Sequence, residues 1–152
     1  VNLPSERIPP RILIVEDDEG QAILIRKNLE AAGLSNPIEH FSDGQAVLDF
    51  LFDRGAGRRL EIGQAYLVLL DVRMPKVDGV QVLGQIKSDP KLRKLPVIML
   101  TTNDDMREVE RCHLLGCNGY IQKPVDYDQF AQGIQRLALF IMLLIVPPVG
   151  GR

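Results

Sequence analysis

The chain has 152 residues, 45% hydrophobic and 25% charged, enough for one self-sufficient core and too few for a second catalytic domain of ordinary size. Lys and Arg number 18 against 20 Asp and Glu, a formal net charge of -2, which excludes bulk electrostatic attraction to nucleic acid or anionic membrane as the main business. Cys112 and Cys117, with no apolar leader before them, fit a reducing cytoplasmic setting, and beside His113 they are too sparse for a zinc site.

Arg11 to Val15 (RILIV) is a short β-branched run between Pro9-Pro10 and a group of acids, the pattern of a buried parallel strand. From Glu19 the apolar residues Ala22, Ile23, Ile25, Leu29 and Ala32 recur at helical spacing, with Gly33 as the stop. Pro37 to Phe41 is a second strand, and a helix through Ala46 to Phe52 starts from Ser42-Asp43-Gly44. Tyr66 to Leu70 (YLVLL) is the most apolar strand, and Val80, Val82, Leu83 and Ile86 follow on a helix capped by Asp78-Gly79. Pro96 to Leu100, a helix through Met106 and Val109 to Leu115, a strand at Gly119 to Ile121 and a helix from near Asp126 complete five strand-helix units. Such alternation predicts an α/β fold, a parallel sheet doubly wound by helices on both faces.

Ligands of such sheets sit beyond the carboxyl ends of the strands. At the ends of the first, third, fourth and fifth strands stand Glu16-Asp17-Asp18, Asp71, Thr101-Thr102 and Lys123-Pro124. Glu16, Asp17 and Asp71 crowded together require a cation, and an all-oxygen donor set favours Mg2+. Asp71 stands at the floor, where its carboxylate can attack phosphorus to give an aspartyl phosphate. Lys123 and the Thr101 hydroxyl would meet the phosphoryl oxygens. Each piece alone has a plainer explanation: Glu16-Asp17 as a solvated helix start, Lys123-Pro124 as a turn, Tyr120 as a core aromatic. Their coincidence at matching strand ends is what favours chemistry.

These stretches, ILIVEDD at 12–18, LVLLDVRMPKVDG at 67–79, PVIMLTT at 96–102 and GYIQKP at 119–124, resemble the receiver domains of two-component response regulators. The resemblance implies a flavodoxin-like sheet in the strand order 2-1-3-4-5 with five helices. It implies an Asp71 phosphorylated by a sensor histidine kinase, and Mg2+ held by Glu16, Asp17, Asp71 and the backbone carbonyl of Arg73. Thr101 and Tyr120 take the family's switch positions, Thr102 flanks them, Lys123 contacts phosphate, and its bond to Pro124 is implied to be cis. Residues 1–10 then form a tail, 11–136 the receiver, and 137–152 an apolar extension of the last helix with its own tail.

The loop from Arg54 to Ala65 and the elongated last helix also resemble the stand-alone, Rcp-type regulators that partner bacterial phytochromes, which makes a phytochrome the expected kinase. Two departures stand out. Arg73 lies two positions after the phosphoacceptor, where the resemblance implies that the side chain helps set how fast the aspartyl phosphate hydrolyses, a long cation there either shielding the phosphoryl group or binding it. Leu137 to Val146 (LALFIMLLIV) is apolar without interruption, too short to span a bilayer, which needs roughly 20 residues. An apolar-all-round helix must be covered, so a homodimer through Phe140, Leu143 and Leu144 is expected, with core packing in the same subunit as the plainer alternative.

The expected function is phosphorylation-controlled signalling through protein contacts, catalytic only in its own phosphorylation and dephosphorylation, with neither nucleic acid nor membrane as partner. An aspartyl-nucleophile phosphohydrolase or phosphotransferase is opposed by Arg73, which stands where such enzymes carry a second acid. A phosphate-independent dimerisation adaptor is opposed by the intact set of Glu16, Asp17, Asp71, Thr101 and Lys123.

Overall fold

A computed structural model describes residues 8–55, 57–102 and 104–150. The elements in chain order are β1 (Arg11–Val15), α1 (Glu19–Ala31), β2 (Ile38–Phe41), α2 (Gly44–Leu51), β3 (Tyr66–Leu70), α3 (Gly79–Ser88), β4 (Val97–Thr101), α4 (Met106–Leu115), β5 (Gly119–Gln122) and α5 (Tyr127–Leu143). All strands pair in parallel in the order β2-β1-β3-β4-β5, the doubly wound architecture expected from the alternation.

The uninterrupted apolar strands follow from burial on both faces, since successive side chains point to opposite sides. Ile12, Ile14, Leu67, Leu69, Ile98 and Leu100 pack against Ile25 and Leu29 of α1 and Ile134, Leu137 and Ile141 of α5. Leu13, Val15, Val68, Leu70, Val97 and Met99 pack the other way, against Val47 and Leu51 of α2, Leu83 and Ile86 of α3 and Cys112 of α4. Each helix begins with an Asp cap: Asp18, Asp43, Asp78, Asp105 and Asp126 each accept from a backbone N–H of the first turn. Asp78 is the N-cap anticipated from sequence, and Gln81 completes a capping box with it.

At the C-terminal end the apolar run is not one helix. α5 stops at Leu143, Leu144 is extended, and Pro147-Pro148 keep the following residues out of helical conformation. The tail returns to its own subunit, where Val146 and Val149 are buried. The Gly63 N–H donates to the Val149 carbonyl (2.9 Å), and the Val149 N–H donates to Gln64 (3.0 Å). Leu144 is half-buried against the α1–α5 side of the core, while Leu139, Phe140 and Leu143 are exposed. The run therefore serves a core face, an open face and a tail that seals the amino-terminal edge of the sheet. No described helix is long and apolar enough to cross a membrane.

Gly79 is fixed by a close approach: its N–H donates to Val72 O (2.8 Å), and a Cβ there would lie 2.1 Å from the Asp71 carbonyl oxygen. Gly84 and Gly133, inside α3 and α5, have nothing within 4 Å of that position. Gly79→Ala is therefore expected to destabilise by about 1–3 kcal/mol. Gly84→Ala and Gly133→Ala are expected to stabilise by about 0.5–1 kcal/mol through helix propensity and unfolded-state entropy. Urea denaturation of the three variants reads both signs.

Candidate phosphoryl and metal site

The sheet's own hydrogen bonding aims the site. Just past the strands, the Glu16 N–H donates to Phe41 O (3.0 Å), the Asp71 N–H to Val15 O (3.0 Å) and the Lys123 N–H to Thr101 O (2.6 Å). The ladder thus runs one residue beyond β1, β3 and β5 and fixes the backbone of Glu16, Asp71 and Lys123. Their side chains converge: oxygens of Glu16, Asp17 and Asp71 lie within 4.8 Å of one another. Lys123 Nζ pairs with Glu16 Oε1, donates to Gln21 Oε1 (2.6 Å) and lies 3.7 Å from Asp71 Oδ2.

Glu16 and Lys123 are buried, at 2% and 3% exposure, a placement tolerated because each charge has a partner. Burial pushes the Glu16 carboxyl up to about 7 against the pull of the Lys123 ammonium, and Asp71 adds to the rise. Two further bonds hold Glu16: its Oε2 accepts from the Asp18 N–H (3.3 Å), and its carbonyl accepts from His40 Nε2 (2.7 Å), which sets the proton of that ring on Nε2. With all three carboxylates ionised, one ammonium leaves two negative charges uncompensated in an all-oxygen donor set. This arrangement fits a hard divalent cation with room for waters and phosphate oxygens, and His and Cys take no part in it.

Thr101 ends β4 fully buried, while Thr102 is exposed and shares a separate pocket with Gln21, Lys123 and Tyr127. Tyr120 is half-buried against the α2–α4 side of the core; burial first, then the charge of Glu108, pushes its phenol up to about 12. The Arg73 side chain is exposed, its Nη2 3.7 Å from Glu108 Oε2 on the first turn of α4. The two line a cleft of about 640 Å³ with Asp17, Asp78 and Arg111. The Lys123–Pro124 bond is trans, as are all described peptide bonds, contrary to the cis isomer implied by resemblance. Trans is the isomer that an X-Pro amide favours by about 0.5–1 kcal/mol.

Gln21, His40 and Glu108 went unnoticed in the sequence. Gln21 lies in the first turn of α1, where a helix following a strand end brings its N-terminal side chains over the sheet edge. Glu108 could have been found as the acid of the first turn of α4. His40 carries no local signal.

The model of the response regulator receiver domain family matches residues 12–135. The probable methanogenesis regulatory protein FilR2 of Methanothrix harundinacea is 39% identical over 127 residues, covering 83% of this chain and 79% of that protein. A response regulator receiver domain from Rhodospirillum rubrum superposes with a TM-score of 0.86 at 45% identity, covering 93% of this chain and 99% of that one. Response regulator Rcp1 of Synechocystis is 29% identical over 147 residues, 96% of this chain and 99% of its own length. Its Mn2+-bound crystal structure superposes with a TM-score of 0.80, covering 91% of this chain and 99% of that one. Other solved neighbours include response regulators of a cyanobacterial phytochrome and of bacteriophytochromes.

The raised Glu16 carboxyl links the site to stability. Its folded value, about 7, exceeds its ordinary 4.5. In metal-free protein its contribution is therefore fully present below about 4.5 and lost as pH rises through about 7. Melting in EDTA should fall from about pH 5 to about pH 8, by an amount on the order of 2 kcal/mol. Asp71→Asn, which removes a like charge, should shallow the fall, and Mg2+ should raise the melting temperature more at the alkaline end. Scanning calorimetry across that range, with and without Mg2+, checks all three.

Proposed function

The chain belongs to the response regulator receiver domain family of two-component signalling, and from that premise we propose that Asp71 is its phosphoacceptor. The convergence of Glu16, Asp17 and Asp71 at the strand ends, with Lys123 buried among them, carries this reading. An Asp71 carboxylate oxygen bonds to phosphorus as the bond from phosphorus to a kinase histidine nitrogen breaks. Hydrolysis then joins a water oxygen to phosphorus, breaks the bond to the Asp71 oxygen and returns carboxylate and inorganic phosphate.

In this reading Lys123 holds one equatorial oxygen of the phosphoryl group, and the Thr101 hydroxyl donates to another, with Thr102 beside it. The Tyr120 ring follows Thr101 inward. Glu16, Asp17, Asp71 and the Arg73 backbone carbonyl are the proposed holders of Mg2+, which when bound neutralises charge on the carboxylates and the transferred group. The partner is a sensor histidine kinase. The likeness to phytochrome response regulators favours a phytochrome, and the proposed location is the cytoplasm. Output is a protein surface altered by phosphorylation, with no part for nucleic acid or membrane.

The exposed face of α5 is the proposed homodimer contact. Phe140 is 51% and Leu143 79% exposed beside Leu139, with half-buried Leu144 at the rim, and a two-fold pairing would cover them with their own copies.

Incubation of the protein with Mg2+ and acetyl phosphate should add one phosphoryl group by intact mass. Asp71→Asn or EDTA should abolish the gain; no gain in the wild type, or an undiminished gain in the variant, refutes the assignment. Light scattering should report a dimer that Phe140→Glu with Leu143→Glu converts to monomer. A wild-type monomer at tens of micromolar, phosphorylated or not, would end the dimer proposal.

A further inference from the structure

One hydrogen-bond acceptor reaches the site because a helix cap is left open. Both α1 and α3 begin on the pattern Asp-x-x-Gln, Asp18 to Gln21 and Asp78 to Gln81, the spacing of a capping box. In α3 the box closes, and Gln81 Oε1 accepts from the Asp78 N–H (2.9 Å). In α1 the Asp18 side chain still accepts from the Gln21 N–H (3.1 Å), but the Asp18 N–H donates to Glu16 Oε2 (3.3 Å). The Gln21 side chain turns instead to the sheet edge, where its Oε1 accepts from Lys123 Nζ (2.6 Å). An ammonium only donates, so it is the amide oxygen that must face it.

Resting on the reading of Asp71 as phosphoacceptor, we propose that Gln21 is a positioning residue for the transfer. It holds the Lys123 ammonium towards α1, so that the attacking carboxylate carries no Lys123 hydrogen bond before phosphorus arrives.

The distances carry this inference. Of the two carboxylates beside the ammonium, Glu16 is bonded to it, whereas Asp71 Oδ2 stands at 3.7 Å, beyond hydrogen-bond length. A neutral amide at 2.6 Å takes the bond that Asp71 does not. Coulomb attraction alone would turn the ammonium to the second carboxylate, so its direction is set by where Gln21 is held. That placement is firm: the Asp18 cap fixes the Gln21 backbone, and the side chain lies part-buried in a pocket with Leu24, Lys123 and Pro124. A Lys123 hydrogen bond to the attacking oxygen would draw on the electron pair that must reach phosphorus, and it would have to break before attack. Held by Gln21, the ammonium leaves that pair free and still stands close enough to move onto a phosphoryl oxygen after transfer.

The test uses the full chain. Gln21→Met keeps the length and helix propensity of the side chain but removes the acceptor, and Gln21→Glu keeps an acceptor. With Mg2+ and acetyl phosphate, Gln21→Met should slow the gain of mass roughly tenfold, the lower end of what a hydrogen bond to a charged group carries. Gln21→Glu should regain most of the rate. A second readout needs no phosphate: urea denaturation in EDTA of Gln21→Met made in the wild type and in Asp71→Asn. The midpoint should fall further in the Asp71→Asn background, because a carboxylate at that position takes over the freed ammonium better than an amide does. A Gln21 that only packs on α1 would lower both midpoints equally. A wild-type rate in Gln21→Met, a Gln21→Glu as slow as Gln21→Met, or equal midpoint shifts in the two backgrounds overturns the positioning role alone. Failure of the wild type to gain any mass overturns it together with the phosphoacceptor reading.

Discussion

The buried contact between Glu16 and Lys123 is the constraint around which the molecule is organised. Two opposite charges at 2% and 3% exposure can remain there only while they face each other, because removing either partner from a buried pair costs about 3–5 kcal/mol. One residue comes from the end of β1 and the other from the end of β5, so the pair spans the carboxyl edge of the sheet. Asp71, from the end of β3 between them, is held within reach of both. Burial, with the charge of Asp71 added, raises Glu16, so the site stores unfavourable charge of a kind that a bound cation would relieve.

The backbone makes that crowding possible. In a parallel sheet all strands end on the same side, and the interstrand bonds of Glu16, Asp71 and Lys123 carry the ladder one residue past the strands. The helices that follow start at the same edge under Asp caps, Asp18, Asp78 and Asp105 for α1, α3 and α4, so side chains of their first turns, such as Gln21, reach the site. Gly79 belongs to the same device. Its hydrogen atom in place of Cβ lets the start of α3 lie against the Asp71 backbone, fixing the floor of the site from below.

Periodicity and strand-end chemistry made much of this legible in the sequence. β1 and β3 match their expected limits because a strand buried on both faces reads as an unbroken apolar run. β4 is displaced by one residue, to Val97–Thr101, because Pro96 has no N–H to donate while Thr101 still pairs with Gln122. That displacement is what buries the Thr101 hydroxyl inside a strand. What sequence could not supply were relations between distant elements. Gln21 reaches Lys123 and His40 reaches the Glu16 carbonyl only through the register of the folded sheet. The apolar run at the end of the chain was ambiguous for the same reason: composition says that it must be covered, but only the fold shows Val149 docked beside Gly63 and Gln64 and Leu144 turned towards its own core.

The uneven anchoring of the helices decides where a change of charge at Asp71 can be felt. α2, α3 and α5 each bury five residues and α1 four, whereas α4 buries Cys112 alone. α5 is further secured beyond its end by the tail bonded to the 63–64 loop. Segments with little buried apolar contact open at the lowest free energy, so α4 is the element that interactions of the order of 1 kcal/mol can shift. It is also the helix whose first turn holds Glu108, facing Arg73 across the cleft. The strongly packed sheet and α1–α5 layer therefore act as the fixed frame. The charges gathered at its edge have one soft element to act on, and Tyr120, on the neighbouring β5 and within the field of Glu108, lies along the same face.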